Sequence, residues 1–183
     1  IEIKSFKDSR KHKKTGHNEE EIKKILEDIR LADERTKVIF ALAIFQGMRE
    51  IEISRILIED INLKEKTALI QGKGKDGKEL IFLQPYTVKV IEKYIKNKKS
   101  GRLINLSTRQ IRNIYYRFAP CEKSMHGLRH YYTTKMIKIL NGDLIEVSKY
   151  TRHSSLNMLQ VYNDELSVQK TLPKIENEFK KLL

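Results

Sequence analysis

The chain has a single cysteine, Cys121, among its 183 residues. An intramolecular disulfide is excluded, and no Cys/His cluster has the spacing of a zinc site. Long hydrophobic runs are missing too. The longest, Val38 to Phe45, is far shorter than the roughly 20 residues that cross a bilayer. No signal-peptide pattern opens the chain. These absences lead to the expectation of an intracellular protein without membrane contact. Acidic residues are in deficit: 24 Asp and Glu face 37 Lys and Arg, a formal charge of +13. That excess suits a polyanionic partner, although charge alone fits a basic protein with no special partner equally well. No carboxylate cluster accompanies the cations, which disfavours a metal-dependent nuclease. Internal repeats are absent as well.

Apolar residues make up 39% of the chain, enough at this length for one well-buried domain. Charged residues make up 33%, but the two signs are mixed, which argues against wholesale disorder. Residues 1–17 carry Lys4, Lys7, Arg10, Lys11, Lys13 and Lys14 with little periodicity. They read either as a solvated terminus or as a basic linker following a DNA backbone. Order is expected from Asn18, an N-cap with Glu21 as its capping-box partner. Ile22, Ile25, Leu26 and Ile29 then recur at helical spacing. Residues 36–45 are apolar nearly all round and predict a buried helix ending at Gly47. Ile51, Ile53, Ile56 and Leu57 continue helical packing before residues 60–63 turn the chain.

Apolar runs over 67–70 and 80–83 flank a Gly/Lys-rich tip at 72–77 and predict a β-hairpin. Pro85 opens a helix whose inner face is Val88, Ile91, Tyr94 and Ile95. Ser107 or Thr108 caps the next, with Ile111, Ile114, Tyr115 and Phe118 as its stripe. Helices are expected over 126–140, 143–150 and 155–162, and a last one over 165–183 broken near Pro173. The fold class is therefore α+β, mainly α-helical with one small antiparallel hairpin or sheet.

The residues with chemical potential form a set. His126-Gly127-Leu128-Arg129-His130 is followed by Arg152-His153-Ser154-Ser155, and Tyr162 lies nine residues after His153. Upstream, Gly47-Met48-Arg49 supplies another arginine, and Gly72-Lys73-Gly74-Lys75 a lysine between glycines. Arginine suits a phosphodiester because its planar fork donates two parallel hydrogen bonds and stays charged. His126 and Arg129, at i and i+3, project from one helical face. Arg49 begins beside a hydrophobic segment, where a charge is costly without a partner, and Glu52 stands one turn away to hold it. An ordinary surface pair between Arg49 and Glu52 fits the local pattern as well.

In order and spacing this set resembles the catalytic signature of the tyrosine recombinases, the phage-type integrases, from about Asn18 to Tyr162. The lysine- and isoleucine-rich composition is similar to that of integrases from archaeal viruses and plasmids. The resemblance implies a tyrosine recombinase catalytic-domain fold over 18–164, with 1–17 as linker and 165–183 as a helix that docks between subunits or packs on its own domain. It implies site-specific recombination of double-stranded DNA attachment sites by a homo-tetramer, with no metal or other cofactor. The family's N-terminal clamping domain has no room here, so a fragment or truncated form is expected.

The resemblance makes Tyr162 the nucleophile, one of eight tyrosines but the one at this offset from a histidine. Arg49, Arg129 and His153 then hold the phosphate, His126 assists proton transfer, and Lys73 is the general acid, with Lys75 and Lys78 as competitors. His130 fits a packing role better than a catalytic one. Where the family has Leu-Gly before the second histidine, this chain has Thr151-Arg152. Arg152 either contacts phosphate or points to solvent, and Lys75 is a further DNA contact. Lys96, Lys98, Lys99, Arg102, Arg109 and Arg112 read as phosphate contacts or solvated helix faces. A type IB topoisomerase or telomere resolvase shares the chemistry, and a non-cleaving DNA-binding relic shares the charge.

Overall fold

The computed structural model describes residues 16–72, 76–96, 98–119, 122–153 and 155–160. Asn18 starts α1 (Glu19–Asp28) as expected. Its side chain accepts from the Glu21 N–H at 2.8 Å, and the Glu21 carboxylate accepts from the Asn18 N–H at 3.0 Å. Ile22, Ile25 and Ile29 face inward.

The centre of the core is α2 (Glu34–Phe45), capped by Asp33 through the Thr36 N–H at 3.0 Å. Every residue from Val38 to Ile44 is buried, because α4, α5 and α6 all pack around this helix. A helix apolar on all sides needs such surroundings. Truncating Ile39 to alanine here costs about 2–5 kcal/mol. The helix stops at Gly47, whose φ of +57° is the left-handed region glycine tolerates. A Cβ at that position would lie 2.3 Å from Cδ1 of the Tyr132 ring.

Next comes α3 (Glu50–Arg55), which ends two residues before the helical run read from sequence. Ile56 turns extended, and Leu57 instead bridges to Arg102. A short 3-10 turn, Ile58–Asp60, leads into β1 (Ile61–Asn62). Residues 60–63 are thus more than a turn: they add a third strand. The antiparallel order is β1-β2-β3, with β2 (Thr67–Gln71) and β3 (Lys78–Phe82) as the expected hairpin. Thr67 pairs with Phe82 and Leu69 with Leu80, so Ala68, Ile70 and Ile81 alternate into the core.

Pro85 opens α4 (Pro85–Ile95). Its buried face is Thr87, Val90 and Ile91, while Val88, Tyr94 and Ile95 are only partly covered. The rotation brings the Thr87 hydroxyl within 3.0 Å of the buried Gln46 amide, a polar contact the apolar pattern could not reveal. Ser107 caps α5 (Thr108–Phe118) with Gln110 as its box partner, which settles the choice between Ser107 and Thr108. Ile111, Ile114 and Tyr115 form its buried stripe.

The last described elements are α6 (His126–Ile139) and α7 (Leu144–Thr151), the latter capped by Asp143. Residues 156–160 are helical, and Leu159 joins Ile137 and Val147 in a small second cluster. The rest of the helix read over 155–162, the helix over 165–183, residues 1–15 of the linker read over 1–17, and Cys121 lie outside the described residues. His17, at the end of that linker, is not solvated but buried, its ring 2.8 Å from the Tyr115 hydroxyl.

Candidate active site

Three segments far apart in sequence meet: the turn after α2, the first turn of α6 and the end of α7. Arg49 occupies the N-cap position of α3. Its main-chain N–H donates to Glu52 Oε2 at 2.8 Å, and its Nη1 to Oε1 at 2.9 Å. Glu52 is only 1% exposed, so this is no surface pair. A carboxylate buried that deeply needs full compensation. It is met by a second guanidinium, since Arg152 Nη2 stands 3.0 Å from Oε2.

Arg152 therefore departs from both sequence expectations. Its side chain, 5% exposed, neither reaches outward for phosphate nor points to solvent. The residue ends α7 in the left-handed conformation, φ 56° and ψ 40°, and its guanidinium turns inward onto Glu52.

Arg129, on the first turn of α6, is 3% exposed. Its Nη1 donates to the Gly47 carbonyl at 2.6 Å and its Nη2 to the Thr151 carbonyl. One planar fork thus ties together the end of α2 and the end of α7. His126 lies one turn earlier on an exposed position, and Leu128 between them is fully buried, as the helical spacing requires. His130 stands edge-on to His126, ring centres 5.5 Å apart, which fits its expected packing role.

His153 is held through Nδ1, 2.8 Å from Thr151 Oγ1. The Thr151 hydroxyl proton is already directed at the Val147 carbonyl at 2.9 Å. The hydroxyl oxygen is thus an acceptor, and the ring must donate from Nδ1. Nε2 is left as the lone-pair atom of a neutral ring, so in this DNA-free geometry His153 does not offer a phosphate oxygen the donor that the resemblance implies. Burial, then the charges of Arg129, Arg49, Arg152 and His126, push the His153 pKa down to about 3. Burial raises the Glu52 pKa, but Arg152, the Arg49 N–H, Arg129 and Arg49 more than offset it, so it sits below the ordinary carboxylate value.

A cavity of about 640 Å³ opens beside these groups, lined by Arg49, Glu50, Arg112, Tyr116, His126 and Arg129 among others. On its rim, Arg112 pairs with Glu50 through two contacts of 2.5 and 3.1 Å, so this basic residue is neither a bare phosphate contact nor merely solvated. Arg49, Arg129 and Arg152 surround the single carboxylate of Glu52, leaving a formal excess of two positive charges among these four side chains. Such an arrangement suits an anion that gains charge as it reacts.

Lys78, at the start of β3, is engaged by both Asp60 oxygens at 2.6 Å. Lys73, Lys75 and Tyr162 lie outside the described residues. Among the described residues, no group of three or more His, Cys, Asp or Glu is placed to hold a metal ion, and no helix is long and apolar enough to cross a membrane. Thr151 and the inward turn of Arg152 were not foreseen. The one available signal was their departure from the Leu-Gly pattern at the segment before His153.

The fold is that of a tyrosine recombinase catalytic domain, and the arginine-rich cleft is its candidate site. The phage integrase family matches residues 17–167, and the chain belongs to that family. The tyrosine recombinase slr0733 of Synechocystis is 29% identical over 153 residues, covering 73% of this chain and 49% of that protein. The chain spans about half the length of the curated relatives it matches. Among solved structures, the XerA recombinase superposes with a TM-score of 0.67 at 21% identity, over 81% of this chain and 59% of that one. The XerH site-specific recombinase bound to difH substrate gives 0.65 at 22% identity, over 85% and 53%.

Proposed function

We propose that this chain is the catalytic part of a site-specific DNA recombinase that cuts and rejoins double-stranded DNA through a 3′-phosphotyrosine. The observation that carries the reading is the convergence of Arg49, Arg129 and His153 from three separate segments, with the buried carboxylate of Glu52 among the arginines. The DNA-bound state of the XerH relative supports DNA as the partner.

In this reading the phenol of Tyr162 attacks the scissile phosphorus. The Tyr162 oxygen bonds to phosphorus as its proton passes to His126, and the bond from phosphorus to the 5′ oxygen breaks. Arg49 and Arg129 stabilise the pentacoordinate intermediate, whose equatorial oxygens carry the added charge. His126 assists the proton transfers at the cleft surface. Lys73 delivers a proton to the departing 5′ oxygen, and the pairing of Lys78 with Asp60 favours Lys73 over that competitor. A phenolate leaves more readily than an alkoxide, so the 5′-hydroxyl of a second DNA end can attack the phosphotyrosine and complete exchange. We assign Lys75 to backbone contact. A homo-tetramer on paired sites, with residues 165–183 docking between subunits, completes the proposal.

The test is covalent trapping in EDTA on a nicked duplex carrying an attachment site recovered from a randomised pool. An SDS-resistant DNA adduct with the parent protein that is lost in Tyr162→Phe is expected. An adduct that persists in Tyr162→Phe, or none from the full-length protein on a site it binds, sinks the reading.

A further inference from the structure

We infer that Arg152 is a positioning residue of the catalytic site, holding Glu52 so that Glu52 in turn aims Arg49. The inference rests on the recombinase reading and adds a residue to it.

Three observations lead there. First, Arg152 stands where the resembling segment has glycine, and keeps glycine's left-handed backbone at φ 56°. A side chain there costs about 1 kcal/mol or more, so something local must offset it. Second, the side chain is only 5% exposed, and its Nε is buried without a hydrogen-bond partner. Burying a guanidinium with an unsatisfied donor is costly, and the contact that can offset it is the ion pair with Glu52 at 3.0 Å. Weaker contacts at 3.4 Å reach the carbonyls of Gln46 and Tyr150. Third, Glu52 divides its oxygens between the two arginines. Oε1 takes Arg49 Nη1, while Oε2 takes both Arg152 Nη2 and the Arg49 main-chain N–H.

The consequence is geometric. Arg152 pins one oxygen of Glu52 from behind, which turns the other toward Arg49. Arg49 keeps 29% of its side chain exposed and lines the cavity, so it is the member of this triad that can meet a phosphate. Arg152 does not line that cavity and acts through Glu52. It also supplies one of the cluster's excess positive charges, which strengthens the field on the cavity without contacting its contents.

The experiment compares the parent protein with Arg152→Gly, Arg152→Lys, Glu52→Gln and the Arg152→Gly/Glu52→Gln double variant. Two quantities are read: the single-turnover rate of adduct formation at saturating nicked duplex, and the affinity for that duplex across salt. Arg152→Gly should slow adduct formation about tenfold to a hundredfold, the scale set by a small misplacement of a catalytic group. Duplex affinity should fall by no more than about the tenfold lost at one phosphate, with the salt slope unchanged, since the guanidinium itself makes no contact with DNA. Arg152→Lys should recover part of the rate. The two lesions should be far from additive, because Arg152 works through Glu52.

An unchanged rate with weakened affinity and a shallower salt slope would make Arg152 a phosphate contact and overturn the inference. Additive lesions would overturn it too. Inorganic phosphate supplies an arm independent of DNA cleavage. Titrated into the cleft and followed by the ring signals of His126, which lines it, it should bind the Arg152→Gly variant about tenfold more weakly, with no loss of folded signal. If the parent protein forms no adduct but this phosphate difference holds, the recombinase reading fails while the positioning role survives. Equal phosphate binding in both proteins removes the positioning role.

Discussion

Arg129 donates to the carbonyl oxygen of Gly47 across 82 residues of sequence, at 2.6 Å. The same guanidinium reaches the carbonyl of Thr151, so the candidate phosphate clamp is also a structural bolt. Replacing Arg129 by alanine strands two buried carbonyls. We expect a loss of about 2–4 kcal/mol, read from chemical denaturation. Arg129→Lys should recover only part, since an ammonium cannot span two acceptors as a fork does. An alanine variant as stable as the parent would show that these contacts are dispensable.

Glu52 should be among the most sensitive positions in the chain. Glu52→Ala leaves two guanidinium groups without their carboxylate, and should cost about 3–5 kcal/mol. Its lowered pKa sets the sign of the acid response. The contribution is present above the ordinary value of 4.5 and is lost as pH falls below it, through the lower folded value. Stability measured from pH 6 to 2 should therefore fall less steeply in Glu52→Gln than in the parent.

His153 acts in the same direction as Glu52 but in a higher pH window. Its folded pKa is about 3 against an ordinary 6.5, so the unfolded chain takes up a proton that the fold refuses. Its share of stability is complete above 6.5 and is lost as pH falls toward 3, with the lowered pKa of His17 adding in the same direction. His153→Gln should flatten the stability profile between those limits. Nuclear magnetic resonance of the ring carbons should show His153 untitrated in the DNA-free protein at pH values where an exposed histidine is already charged. A midpoint near 6.5 would contradict the burial described above.

Thr151 should control the tautomer of that ring. Thr151→Val keeps the shape but removes the acceptor for Nδ1–H. Ring ¹⁵N shifts should then show the proton redistributed toward Nε2, and adduct formation should slow about tenfold at unchanged DNA affinity. Identical ¹⁵N shifts in the two proteins would rule the hydroxyl out as the orienting group.

Gly47→Ala tests the turn that carries Arg49 into place. The substitution forces a side chain into φ +57° and a contact of 2.3 Å with the Tyr132 ring. About 2–4 kcal/mol of stability should be lost. An alanine variant with parent-like stability would mean that the ring moves freely.

How much of this was legible beforehand depended on the range of the interaction. The capping box of Asn18 and Glu21, the buried run of α2, the stop at Gly47 and the β2–β3 pairing are local patterns. Period, capping chemistry and glycine placement act over a few residues, so a sequence displays them directly. His126 and Arg129 shared a helical face for the same reason. The inner face of α4 was displaced by a polar contact between Gln46 and Thr87, and β1 formed because Ile61 and Asn62 found β2 as a partner. Neither has a local signature.

The sequence by itself determined which chemistry is on offer: two arginines, two histidines, a lysine and a tyrosine in a recognisable order, on a largely helical frame. Only the tertiary structure decided how those groups are wired. The partner of Glu52 at 3.0 Å is 100 residues distant, and whether Arg152 faced DNA, solvent or that carboxylate turned on one left-handed residue at the end of α7. A buried charge is governed by whatever surrounds it in three dimensions, and those surroundings come from segments that sequence spacing does not relate.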